Sequence, residues 1–101
     1  MHVVQLLLPL FDNDDRPFPA ETMRRIREDL ITRFGGVTAF SRAPADGVWS
    51  DNGRRIRDQV ILVEVMVATL DRDWWRGFRN SLEETLRQDS VVIRTFAIER
   101  L

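Results

Sequence analysis

Residues 59–67 read Gln-Val-Ile-Leu-Val-Glu-Val-Met-Val, the most apolar and most β-branched run in the chain. It holds no Gly or Pro and a single charge, Glu64. A run of that kind is a central strand with both faces largely covered. Strand alternation puts Ile61, Val63, Val65 and Val67 on one face, and Val60, Leu62, Glu64 and Met66 on the other. The first set suits a bed of helices. Glu64 is the one residue that a plain core would not select.

The rest of the chain supplies partners for this strand. Residues 3–10 read as a first strand, with Pro9 near its end where a missing amide is tolerable. Residues 11–19 form a turn-rich loop. Its run Asp12-Asn13-Asp14-Asp15 lacks the ligand spacing, turn glycine and closing Glu of a calcium loop, so no metal site is expected. Over residues 20–34, Met23, Ile26, Leu30 and Phe34 fall in one helical stripe, and Gly35-Gly36 supplies the stop. Glu21 sits in the first turn, four residues before Arg25. Arg27 projects close to the apolar stripe, either as a stem along the core or as a ligand-facing guanidinium.

Residues 37–42 are a second strand, followed by a loop. Asp51-Asn52-Gly53 is a hairpin signal that pairs Val48-Trp49-Ser50 with the front of the long strand, starting near Arg55. Asp71 is a good N-cap for a helix over residues 72–87. Its apolar positions, Trp74, Trp75, Phe78, Leu82 and Leu86, lie on one side. Gln88-Asp89-Ser90 turns the chain into a last strand, 91–98.

This order predicts an α+β fold, a ferredoxin-like βαββαβ sandwich. It would have a four-stranded antiparallel sheet, two helices on one face and a short extra hairpin arm. Residues 1–101 make a single domain, a size that can bury one core unaided.

The helix side of the sheet takes Val4, Leu6 and Leu8 from the first strand, and Val91, Ile93, Thr95 and Ala97 from the last. The opposite face then carries Val3, Gln5, Leu7, Val92, Arg94, Phe96 and Ile98. Phe40 and Arg42 join it if Val37 and Ala39 point inward. In this fold Gln5, Glu64 and Arg94 form one row among apolar neighbours. So apolar a face requires a cover, most economically a second copy of the chain.

Composition removes several classes of function. Without Cys there are no disulfides, thiolate nucleophiles or zinc–thiolate sites. The single histidine, His2, rules out a histidine triad or a multi-histidine metal site. All 15 basic residues are Arg, against 16 acidic ones, a balance unlike that of a dedicated nucleic-acid binder. No apolar run reaches membrane-spanning length, so a soluble cytoplasmic protein without membrane or nucleic-acid partners is expected. No nucleophile motif, phosphate loop or metal-ligand spacing is present, and no cofactor is expected.

Glu64 is the one candidate general acid or base, with burial as the means of raising its pKa. The simpler alternative makes it a partner for Arg94 or Arg42 that fixes dimer register. Trp74 and Trp75 fit core packing, with Trp74 at the edge of the stripe and nearer a pocket. Trp49 is a candidate pocket or interface aromatic. The candidate ligand or interface set is therefore Gln5, Phe40, Arg42, Trp49, Glu64, Trp74, Arg94 and Phe96.

Three segments carry a resemblance: Arg33-Phe34-Gly35-Gly36-Val37-Thr38, Gly47-Val48-Trp49 and Arg87-Gln88-Asp89-Ser90-Val91. They resemble a family of small bacterial proteins of unknown function. The resemblance implies a compact α+β domain with the same order of elements, and no activity. The first strand, Gln5-Leu6-Leu7-Leu8-Pro9, lacks that family's aromatic-glycine pattern.

Two functions of different class follow. One is a homodimeric binding or structural domain that associates through its open sheet face, with room for a small hydrophobic ligand. The other is a cofactor-free dimeric α+β-barrel enzyme, of monooxygenase or isomerase type, acting on a small hydrophobic substrate. Whether the protein is an enzyme is left open by the residues alone.

Overall fold

The computed structural model describes the backbone of residues 1–40, 47–51, 54–58 and 60–101, and the side chains of residues 1–37 and 60–101. The elements run β1 (His2–Pro9), α1 (Ala20–Phe34), β2 (Thr38–Phe40), β3 (Gly47–Asp51), β4 (Arg54–Asp58), β5 (Val60–Val67), α2 (Arg72–Thr85) and β6 (Val92–Ala97).

The long strands form a three-stranded antiparallel sheet with β1 between β5 and β6. The three-residue β2 pairs along the other edge of β5. β5 is therefore an inner strand, as its β-branched run requires. β3 and β4 form a separate two-stranded ladder, with Trp49 opposite Ile56. The hairpin pairing expected from Asp51-Asn52-Gly53 is present, but the arm is its own ladder and β5 begins afterwards, at Val60.

Both helices lie on one face. Val4, Leu6 and Leu8 of β1, and Val63, Val65 and Val67 of β5, are buried with Ile26 and Leu30 of α1, Trp75 and Leu82 of α2, and Leu86 and Val91. The face assignment of these strands holds because one face of each is sealed. Ile61 and Ile93 pack at the margin of the same core. Each fully buried leucine contributes about 1.5–3 kcal/mol of transfer free energy, and Leu6 and Leu30 are sealed from solvent altogether.

α1 opens after Pro19 without a side-chain cap and stops at Gly35, whose φ of 78° needs a residue without a Cβ. The Gly35 N–H donates to the Ile31 carbonyl over 2.7 Å. α2 is capped by the Asp71 carboxylate, which accepts from the Trp74 N–H over 3.1 Å. It ends at Thr85, two residues before the expected Arg87. Arg87 adopts a φ of 51°, and the Gln88 N–H donates to the Glu83 carbonyl over 2.9 Å. That closing bond unwinds the helix where periodicity alone would continue it.

Asp12 explains the acidic loop. Its carboxylate accepts from the N–H groups of Asp14 and Arg16, each over 2.9 Å. The carboxylate organises a turn. Among the described residues no cluster of His, Cys, Asp or Glu is arranged to hold a metal.

Candidate functional site

The sheet register builds the site. Gln5 stands directly opposite Glu64 on one side and Arg94 on the other, so all three project from the same face. The Gln5 Nε2 donates to Glu64 Oε1 over 2.6 Å. The Arg94 Nε donates to Gln5 Oε1 over 2.7 Å. One neutral amide thus links an acid to a base across three strands. The charges fix its orientation, with its oxygen towards the guanidinium and its nitrogen towards the carboxylate.

Apolar rows flank this polar one. Val3 is opposite Met66 and Phe96, and Leu7 is opposite Leu62 and Val92. Met66, Val92 and Phe96 are 57%, 49% and 46% exposed. Val3, assigned to this open face, is nonetheless buried, because it sits between the larger side chains of Met66 and Phe96. No described helix covers this face.

Glu64 also lines an open groove of about 530 Å³ with Val3, Phe34, Val37, Met66 and the Gly35-Gly36 reversal. The carboxylate is half-buried there. Among the described residues its hydrogen-bond partner is Gln5 and it forms no ion pair. Its second oxygen, Oε2, accepts no hydrogen bond among the described residues.

Of the other sequence candidates, Phe96 lies beside the row in the Val3 rank. Trp74 does not join it. It lies on the helix side, edge-on to Phe34 at 5.0 Å and to Trp75 at 4.8 Å. It also stacks on Phe78 at 5.0 Å, with the Arg33 guanidinium 5.3 Å from its ring. Phe34 stands between Trp74 and the groove, so Trp74 supports the wall from behind. Thr38 is opposite Glu64 and Phe40 opposite Leu62 in the pairing. The side chains of Phe40 and Trp49, and the whole of Arg42, lie outside the described residues.

Two features are not evident from the sequence. A cavity of about 300 Å³ opens between Leu8, Phe18, Met23, Ile61 and Val63, with Arg27 at its margin. The position of Arg27 beside the stripe points there; Phe18, in a Pro-flanked loop, carries no periodic signal. The second is a stripe of arginines on α2, Arg72, Arg76 and Arg79, beside β6. Their spacing of four and three is legible, but apolar periodicity directs attention to the adjoining side of the helix.

No family model and no curated protein matches the chain. Among solved structures, the chain is similar to a phage SAM lyase in complex with S-methyl-5'-thioadenosine, with a TM-score of 0.59. That likeness covers 94% of this chain and 79% of the other at 16% identity. The phage SAM lyase in its apo state gives a TM-score of 0.58 at 16% identity, over 94% of this chain and 78% of that one. At this identity the likeness is one of fold.

Proposed function

We propose that this chain is a ferredoxin-like βαββαβ domain with a four-stranded sheet and a hairpin arm, working as a homodimer that pairs its open sheet faces. The observation that carries the reading is the order acid–amide–base in the row Glu64–Gln5–Arg94. A two-fold axis parallel to β1, lying above Gln5 between the two sheets, lays this row over its copy with the ends exchanged. Glu64 of one copy then meets Arg94 of the other, and Met66 meets Phe96. Exposed apolar rows supply the association energy, and the charged row sets the register.

Sedimentation and light scattering test this reading. A dimer at micromolar concentration is expected, and a monomer overturns it. Glu64→Arg places like charges across the axis and separates the copies. Adding Arg94→Glu in the same chain restores the pairing with its polarity reversed. Failure of the double exchange to restore it rejects the row as the register device.

A second reading is an enzyme or binder for a sulfonium nucleoside. Two observations favour it: the likeness in fold to phage SAM lyase over 94% of the chain, and the Glu64 carboxylate in the groove. A sulfonium is a cation that a half-buried carboxylate attracts, and the apolar wall suits the groups around it. This reading adds a second enzyme class beside the monooxygenase or isomerase alternative. Incubation with S-adenosylmethionine should release S-methyl-5'-thioadenosine, detected by chromatography, as the substrate's own carboxylate attacks the carbon that loses sulfur and the aminobutyrate chain closes to a lactone. Glu64→Gln should abolish release while the assembly persists. Neither turnover nor binding of either compound by the unaltered protein rejects it.

A further inference from the structure

We propose that the groove between α2 and the outer edge of β6 is a binding site for a small phosphate-bearing polyanion. Arg72, Arg76 and Arg79 share one side of α2, and all three line this groove. Its floor is Trp75 and Ile93, and its volume is about 230 Å³. That is smaller than the roughly 300–1,000 Å³ of a site that encloses a whole organic ligand. It suits a charged head group.

The charges make the case. Three guanidinium-bearing residues of α2 border one concavity, and no carboxylate lines it among the described residues; the Arg94 side chain is turned to the open face, where it donates to Gln5. Two of the three form long ion pairs, Arg76 with Asp73 at 3.6 Å and Arg79 with Glu83 at 3.9 Å. Arg72 has no ion pair among the described residues. Exposed pairs of that length hold their arginines weakly.

The arginine surface of α1 provides the contrast. There Arg24 is gripped by Glu28 at 2.6 Å on one side and by Glu21 on the other. α1 holds Arg24 between two carboxylates, whereas the α2 groove pairs Arg76 and Arg79 at longer range and leaves Arg72 without a carboxylate among the described residues. From Arg72 to Arg79 the helix rises about 10 Å, a span that flexible arginine stems close onto two adjacent phosphates. The planar guanidinium fork matches phosphate oxygens bidentately. Trp75 and Ile93 keep the stems against an apolar wall, which limits competition from water.

Inorganic pyrophosphate is the probe, titrated calorimetrically into the full chain at low ionic strength. Saturable one-to-one binding is expected. Arg72→Gln and Arg76→Gln should each weaken it about tenfold, the scale of one lost charge-assisted hydrogen bond. Arg25→Gln, on the exposed side of α1, should leave it unchanged. Circular dichroism checks that each variant is folded. Equal weakening by Arg25→Gln, equal binding of sulfate at matched ionic strength, or no saturation would each overturn the proposal. The site is independent of the open-face row, so the charge exchange at residues 64 and 94 serves as a separate readout.

Discussion

Gln5 faces Glu64 directly across the β1–β5 ladder, its amide nitrogen 2.6 Å from the carboxylate while its amide oxygen accepts from Arg94 at 2.7 Å. The amide is therefore the one group that both charges share. Replacing it strands both. Gln5→Leu keeps the volume and removes the two hydrogen bonds, leaving a half-buried carboxylate without its donor. The expected loss is about 1–3 kcal/mol, measured by urea unfolding at a protein concentration held fixed across variants. A neutral result would mean that water or a partner takes over both bonds.

The core makes a sharper contrast within one helix. Leu30 is sealed in the core beneath α1, whereas its neighbour Ile31 is 48% exposed. Leu30→Ala should cost about 2–5 kcal/mol through lost transfer energy and the cavity left behind. Ile31→Ala should stay within about 0.5 kcal/mol. Equal costs for the two would contradict the side of α1 that faces the sheet.

Leu30 and Ile31 also mark what a sequence can announce. The alternation of β1 and β5, and the stripe Met23-Ile26-Leu30-Phe34, reflect a sealed face, and sealed faces constrain side-chain type at fixed spacing. The row Gln5–Glu64–Arg94 is legible for the same reason, since topology and alternation alone bring those positions together. Which bonds form within the row is not legible. The residue types suggest Arg94 or Arg42 as the partner of Glu64 across a dimer, whereas within one chain the amide of Gln5, directly opposite both, lies between Glu64 and Arg94. The end of α2 is hidden because Arg87 takes a left-handed conformation that its side chain does not announce. The outer face of α2 is equally silent, because exposed arginines look alike until a neighbouring strand turns some of them into a groove.

Glu21 supplies a pH-dependent prediction. The hydrogen bond from Arg24 holds its carboxyl below the ordinary glutamate value, with Arg25 adding a smaller attraction. The Arg24 guanidinium is correspondingly raised. A carboxyl whose folded pKa lies below its unfolded value stabilises the fold above the unfolded pKa. That contribution is lost as pH falls through the folded value. Because the pair is exposed, the effect is small and salt weakens it. A carboxyl-detected NMR titration of Glu21 should show the low midpoint, and Arg24→Gln should move it back towards the ordinary value. A midpoint indifferent to Arg24→Gln would assign the shift elsewhere.

Arg87 offers the opposite kind of test, a substitution that should stabilise. Its φ of 51° closes α2, with its own N–H donating to the Glu84 carbonyl over 3.2 Å and Gln88 reaching the Glu83 carbonyl. This is the position where helices usually carry glycine, because a Cβ crowds the following carbonyl there. The turn is held regardless, since Asn13 Nδ2 donates to the Arg87 carbonyl over 2.8 Å and ties it to the loop after β1. Arg87→Gly relieves the left-handed strain while keeping every one of these backbone bonds. It forfeits some of the gain through the greater freedom of glycine in the unfolded chain. The balance should favour the variant by about 0.5–1 kcal/mol, visible as a higher urea midpoint with an unchanged slope. Loss of stability would mean that the Arg87 side chain contributes more than its backbone costs.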